Sequence, residues 1–74
     1  MWTNGIIEID GISVECCFKH FEESSVYGID KGRISKLELK ICGEIVANYD
    51  RGWDMKATTP IAKQALKQIL SKYN

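Results

Sequence analysis

The chain has 74 residues, 45% of them hydrophobic and 27% charged, and its ten basic residues balance its ten acidic ones. This composition excludes a disordered chain, and no apolar run reaches the roughly 18–20 residues that cross a bilayer. Residues 1–4 lack the basic start of a secretory signal peptide, so one cytoplasmic domain over residues 1–74 is predicted. So small a domain buries only about 60% of its unfolded surface, which makes a homodimer a candidate assembly.

Residues 5–21, GIIEIDGISVECCFKHF, predict a β-hairpin. Asp10-Gly11 is a strong signal for a two-residue turn with positive φ. Alternation after the turn predicts a half-buried antiparallel strand. Its apolar face would carry Ile12, Val14, Cys16, Phe18 and His20. Its other face would carry Ser13, Glu15, Cys17, Lys19 and Phe21.

Residues 22–32, EESSVYGIDKG, form the least regular segment. We predict a loop that carries a short edge strand. The next stretch, RISKLELKIC, alternates cleanly and predicts the third main strand. Its apolar side would be Leu37, Leu39 and Ile41, and its polar side Lys36, Glu38 and Lys40.

The register of residues 45–53 has two solutions. A two-residue turn at Gly43-Glu44 would set Val46 opposite Ile41. A three-residue loop would instead set a more apolar group, Ile45, Ala47 and Tyr49, against Ile41, Leu39 and Leu37. The second solution is favoured because it gives the strand a more apolar face. The choice matters because a slip of one residue turns every side chain to the other face of the sheet.

Residues 58–74 predict a helix that begins with Thr59 as N-cap and Pro60 in its first turn. Its apolar stripe comprises Ile61, Ala62, Ala65, Leu66, Ile69, Leu70 and Tyr73. The predicted order is β-β-β-β-α. The predicted fold class is therefore α+β: a four-stranded antiparallel sheet made of two hairpins, with one C-terminal helix packed on one face.

The sequence predicts a non-enzymatic protein without a metal or another cofactor. Cys16 and Cys17 lie on opposite faces of one strand, and no C-x-x-C pair is present to start a zinc site. Cys16 and His20 are about 13 Å apart along an extended strand, far outside the reach of a nucleophile and its base. His20 is expected to be a strand-end residue.

Charge is unevenly distributed along the chain. Residues 1–30 hold six acids and one base, and residues 31–74 hold nine bases and four acids, giving −5 and +5. The two oppositely charged halves either attract each other, within the fold or across a dimer, or present one basic face to an anionic partner. The first interpretation is favoured.

The segments KGRIS (31–35) and NYDRGWDM (48–55) combine arginines with aromatic residues. Pairing of their strands would set Ser35 opposite Arg51 and Arg33 opposite Trp53. The predicted ligand-binding residues are Arg33, Arg51, Trp53, Tyr27 and Tyr49. Arginines would grip a phosphate and the aromatic rings would stack on a base. Alternatively, Arg33 stacks on Trp53 while Asp50 and Asp54 neutralise the arginines, which would make the cluster purely structural.

The pattern GRISKL followed by YDRGWD resembles a family of short uncharacterised proteins from Gram-positive bacteria and their phages. The resemblance is carried by residues 27–54, and it implies a phage or mobile-element accessory protein that acts on host defences. The predicted function is a binding protein that captures a nucleotide signal or a nucleic-acid segment.

Two other functions remain open. One is an inhibitor of a host defence nuclease, of the anti-CRISPR type, with an acidic surface that enters a basic nucleic-acid channel. Its protein-binding residues would be Glu8, Asp10, Glu15, Glu22 and Glu23. The other is a structural or assembly module of a phage.

Overall fold

A computed structural model describes residues 1–74 as an antiparallel sheet with one helix. The elements are β1 (Trp2–Ile9), β2 (Ile12–His20), β3 (Ile34–Ile41), β4 (Glu44–Asp50), β5 (Trp53–Met55) and α1 (Pro60–Tyr73). The strands follow one another in the sheet in chain order, each antiparallel to the next. The α+β class and the C-terminal helix are confirmed, but the sheet has five strands rather than four.

The fifth strand exists because the chain reverses at the end of β4. Arg51 adopts φ 60°, and the Asp50 amide donates to the Gly52 carbonyl at 2.9 Å. Trp53 then pairs with Tyr49 as the first residue of β5. A strand of three residues is too short for alternation to reveal, so the sequence pattern extended β4 straight through residue 53.

The first predicted turn is confirmed, and the second is shifted by one residue. Asp10 and Gly11 have φ of 52° and 79°, as expected for the two central residues of a tight hairpin turn. In the second hairpin the central residues are Cys42 and Gly43, with φ of 51° and 80°. Both predicted connections, the two-residue turn at Gly43-Glu44 and the favoured three-residue loop, are therefore wrong.

An irregularity in β4 reconciles this two-residue turn with the favoured register. The β3–β4 pairing shifts between Leu39 and Lys40, so Val46 is an extra residue on β4. Beyond it, Leu39 pairs with Ala47 and Leu37 pairs with Tyr49, as predicted. The prediction fails for Ile45, which pairs with Lys40 and is 41% exposed. A bulge thus corrects the register that the turn alone would impose.

The core lies between α1 and the inner face of the sheet, which is the face that contacts the helix. Its side chains are at most 7% exposed. They are Ile9, Val14, Cys16, Phe18, Ile29, Ile34, Leu37, Leu39, Ala47, Tyr49, Ala65 and Ile69. The helix packs mainly on β1, β2 and β3. Its start is confirmed, because the Thr59 hydroxyl accepts from the Ala62 amide at 3.2 Å.

The outer face of the sheet carries no helix. Strand pairing places a mostly polar set there: Glu8, Ser13, Glu15, Cys17, Lys19, Lys36, Glu38 and Lys40. Trp2 and Ile6 share this face and are 53% and 66% exposed. No helix in the structure is long and apolar enough to span a bilayer.

The irregular segment before β3 contains a 3-10 turn, Ile29–Lys31, instead of the predicted edge strand. Ile29 is 1% exposed and belongs to the core. The side chain of Asn74 bridges Ile29 and the first residue of β3. Its amide group donates to the Ile29 carbonyl at 2.9 Å, and its carbonyl oxygen accepts from the Ile34 amide, also at 2.9 Å. The end of α1 therefore fixes the loop.

Replacing Asn74 by alanine is expected to lower the free energy of unfolding by about 1–3 kcal/mol, because one partly buried donor and one acceptor lose their partners. Urea denaturation would measure this change, and hydrogen exchange should quicken at the Ile34 amide. Asn48→Ala is the matched control, since no hydrogen bond of the Asn48 side chain is present. Equal effects of the two substitutions would contradict the assigned role of Asn74.

Candidate functional site at the loop end of the sheet

The predicted ligand residues gather at one end of the sheet, which we call the loop end. Here β2 and β4 finish and β1, β3 and β5 begin. Arg33 directly precedes β3, Arg51 directly follows β4, and Trp53 opens β5. The end of α1 reaches the same place, because the Tyr73 ring packs on the His20 ring with centroids 5.3 Å apart.

The backbone of Arg51 is held as the favoured register predicts. Its amide donates to the Ser35 carbonyl at 3.1 Å, which confirms that Ser35 lies opposite Arg51. The predicted pairing of Arg33 with Trp53 is wrong. The chain reversal carries Trp53 to the far side of β4, whereas the Arg33 carbonyl accepts from the Phe21 amide at 3.1 Å beside β2.

Tyr49 contacts both Tyr27 and Trp53. It is 7% exposed, and its hydroxyl donates to the Tyr27 carbonyl at 2.7 Å. Its ring meets the Trp53 ring edge-on, with centroids 5.0 Å apart. Tyr27 is 62% exposed and Trp53 is half-buried. Tyr27 and Trp53 therefore offer ring surface to a ligand, while Tyr49 positions them.

Neither arginine is neutralised by a carboxylate. The two ion pairs of the structure are Lys36–Asp50 at 3.9 Å and Lys40–Glu38 at 3.5 Å. No arginine stacks on an aromatic ring, since both cation–π contacts belong to lysines. The predicted purely structural arrangement, with Arg33 on Trp53 and aspartates on the arginines, is therefore absent. Arg51 is exposed, and its guanidinium is free to bind an anion.

Arg33 faces a different part of the loop end. It lines a shallow depression together with Met1, His20, Phe21 and Glu22. The Met1 amino group donates to the His20 carbonyl at 3.1 Å and closes one side of this depression. The two arginines thus occupy neighbouring positions at the loop end rather than one pocket.

The five acids proposed for protein binding are all exposed, and none forms an ion pair. They do not form one surface. Glu8, Asp10 and Glu15 surround the first hairpin turn, whereas Glu22 and Glu23 follow β2 at the loop end. Glu15, the member of the first group nearest to Glu22 along β2, precedes it by seven residues, which is about 23 Å of extended chain.

The three cysteines and His20 lie on different faces or at different ends of the sheet. Cys16 is buried on the inner face, where burial raises the pKa of its thiol, partly offset by a hydrogen bond from the Gly5 backbone. Cys17 lies on the outer face and Cys42 in a turn. His20 ends β2 as predicted, with Nε2 3.2 Å from the Thr3 hydroxyl.

Sequence reasoning missed the residues that position the loop. Asn74 binds groups 40 and 45 residues away, and no local pattern reveals such contacts. Gly28 lies so close to the Gly32 carbonyl that a Cβ atom would overlap it. A glycine in an irregular segment was the only available signal, and it is not specific.

The profile of a family described as a domain of unknown function, DUF7678, matches residues 1–74. No curated protein and no solved structure matches the chain.

Proposed function

The chain belongs to the DUF7678 family over its whole length, and we propose that it is a non-enzymatic binding protein that captures a nucleotide signal or a short single-stranded nucleic-acid segment. The proposed setting is the cytoplasm of a Gram-positive host, where a phage or mobile element would supply the protein as a counter-defence factor. Its ligand site is the loop end of the sheet.

The observation that carries this proposal is the free guanidinium of Arg51. Two aspartates stand within three residues of it in the sequence, yet neither forms an ion pair with it. A guanidinium presents a planar fork of donors that fits two phosphate oxygens. The turn that carries Arg51 is anchored to Ser35, so binding would require little ordering of the backbone.

The aromatic residues supply the second part of the site. Tyr27 and Trp53 would stack on a base, a contact worth about 1–3 kcal/mol per base and indifferent to its identity. Tyr49 fixes both, through the Tyr27 carbonyl and the Trp53 ring. Arg33 would contact a second phosphate of a longer ligand, because it lies at the same end of the sheet but in a separate depression.

Arg51→Ala is the decisive test. Calorimetric titration would use three probes: ATP, a cyclic dinucleotide and a single-stranded oligothymidine. We expect micromolar binding of at least one probe by the wild type. We expect at least about a tenfold weaker affinity for the variant, since a hydrogen-bonded ion pair of about 1.5–3 kcal/mol is lost.

Lys56→Ala is the matched control for net charge. It removes one exposed positive charge from the segment that follows β5, and it should leave the affinity within about twofold. Absence of binding by the wild type to all three probes would overturn the proposal. So would equal losses in Arg51→Ala and Lys56→Ala, because binding would then depend on overall charge alone.

A second candidate function is inhibition of a nucleic-acid-binding protein of the host. It is favoured by the three exposed acids around the first hairpin turn, Glu8, Asp10 and Glu15, which have no basic partner. Reversal of these three charges should then abolish inhibition of the host nuclease, while Arg51→Ala should leave it intact. The opposite result would assign the activity to the loop end.

A further inference from the structure

The strand β1 has one unpaired edge along its whole length. β1 lies at the margin of the sheet and pairs only with β2, from Trp2 to Ile9. The opposite margin is formed by β5, which has three residues, and by residues 44–47 of β4, which β5 does not cover. That margin is interrupted by the extra residue Val46, so the eight residues of β1 form the longest regular edge of the sheet.

The backbone groups at this edge follow from the hydrogen bonds of β1 with β2. Met1 and His20 exchange both of their backbone hydrogen bonds, at 3.0 and 3.1 Å. Bonded and non-bonded pairs alternate along an antiparallel ladder. The amides and carbonyls of the even-numbered residues therefore point away from β2. These residues are Trp2, Asn4, Ile6 and Glu8.

β1 lacks the features that normally protect an exposed edge. Such strands are usually short, bulged or marked by lysine or proline. β1 contains neither residue type, and it pairs with β2 without a register shift. Its only charged side chain is Glu8, and Trp2 and Ile6 are more than half exposed. The long edge is thus a free template for one more antiparallel strand.

We propose that β1 pairs with β1 of a second copy of this chain, which joins two five-stranded sheets into one. The two-fold axis would pass between the two Gly5 residues. Trp2 of each chain would lie opposite Glu8 of the other, and Asn4 opposite Ile6. This register engages all the outward-pointing backbone groups of the strand in about eight hydrogen bonds.

Three features of β1 suit a second copy in this register. Even-numbered residues pair with even-numbered ones, so both helices stay on the same face of the joined sheet. Gly5 has no side chain to crowd its symmetry mate on the inner face beside the helix. The two Glu8 carboxylates lie at opposite ends of the interface, where like charges do not face each other.

The outer face adds apolar contact to this pairing. Trp2 and Ile6 are diagonal neighbours across the interface, within reach of a large aromatic ring. Both are exposed in one chain alone. This assembly is independent of ligand capture at Arg51, because the backbone of β1 contributes none of the ligand-binding residues.

The test compares two exposed isoleucines of the outer face. Ile6→Lys puts a positive charge on the edge, whereas Ile45→Lys puts the same charge on β4, away from it; the two residues are 66% and 41% exposed. We expect wild type and Ile45→Lys to sediment at twice the 8.4 kDa chain mass, and Ile6→Lys to sediment as a monomer. Asn4→Pro, which removes an outward-pointing amide, should also be a folded monomer.

Hydrogen exchange identifies the interface directly. In the wild type, the amides of Trp2, Asn4, Ile6 and Glu8 should be protected, and in Ile6→Lys they should exchange freely. The amides of Thr3, Gly5 and Ile7, which bond to β2, should stay protected in both. A wild type that is monomeric up to millimolar concentration would refute the proposal. A dimer that persists in folded Ile6→Lys and Asn4→Pro would also refute it.

Discussion

Replacing Phe18 by alanine is expected to lower the free energy of unfolding by about 3–5 kcal/mol. Phe18 lies in the middle of the inner face, is 1% exposed, and packs against the Tyr73 ring with centroids 4.8 Å apart. Its removal would leave a cavity between β2 and the end of α1, because neither the sheet nor the helix can collapse fully into the gap.

This loss is a large fraction of the total stability of so small a chain. At about 0.05–0.15 kcal/mol per residue, the whole domain has roughly 4–11 kcal/mol of stability. Urea denaturation followed by circular dichroism should show the midpoint of Phe18→Ala far below that of the wild type.

Phe21→Ala is the matched control for this substitution. Phe21 follows β2 directly, points to the other face, and is 46% exposed, with the Lys19 ammonium 5.2 Å from its ring. We expect a change within about 0.5 kcal/mol, as for other surface substitutions. If both phenylalanines gave the same loss, the assignment of the inner face would be wrong.

Gly28→Ala is expected to be the most damaging substitution in the loop, with a loss of at least about 2 kcal/mol. The added Cβ would overlap the Gly32 carbonyl oxygen and lie 2.9 Å from its carbon and 3.2 Å from the Ile34 oxygen. These are backbone atoms, so no side-chain rotation relieves the overlap. Gly28 has φ −75°, so the expected loss arises from crowding and not from backbone conformation.

Gly52→Ala provides the comparison. An added Cβ at Gly52 meets nothing within 4 Å, so the substitution should be neutral or stabilise by a few tenths of a kcal/mol through the unfolded chain. Thermal unfolding should therefore shift downward by about 8 °C or more for Gly28→Ala and hardly at all for Gly52→Ala. Similar melting temperatures for both variants would show that the loop can open around residue 28.

The sequence by itself determined the elements whose pattern repeats locally. Alternation over β2 and β3 fixed their inner and outer faces, and Asp10-Gly11 located the first turn. Thr59-Pro60 marked the start of α1. These signals suffice because each depends on residues within a few positions of one another: period two for a strand, and a capping hydroxyl three residues before the amide it accepts from.

Only the tertiary structure decided how the loop end is assembled. The reversal at Arg51 created β5 and moved Trp53 away from Arg33, and the bulge at Val46 turned Ile45 to solvent. Asn74 joined two backbone groups that are distant in the chain. No local sequence period signals positive φ at a non-glycine residue, an extra strand residue or a long-range hydrogen bond. They are stabilised by the surrounding packing, and that packing exists only once the sheet and helix have come together.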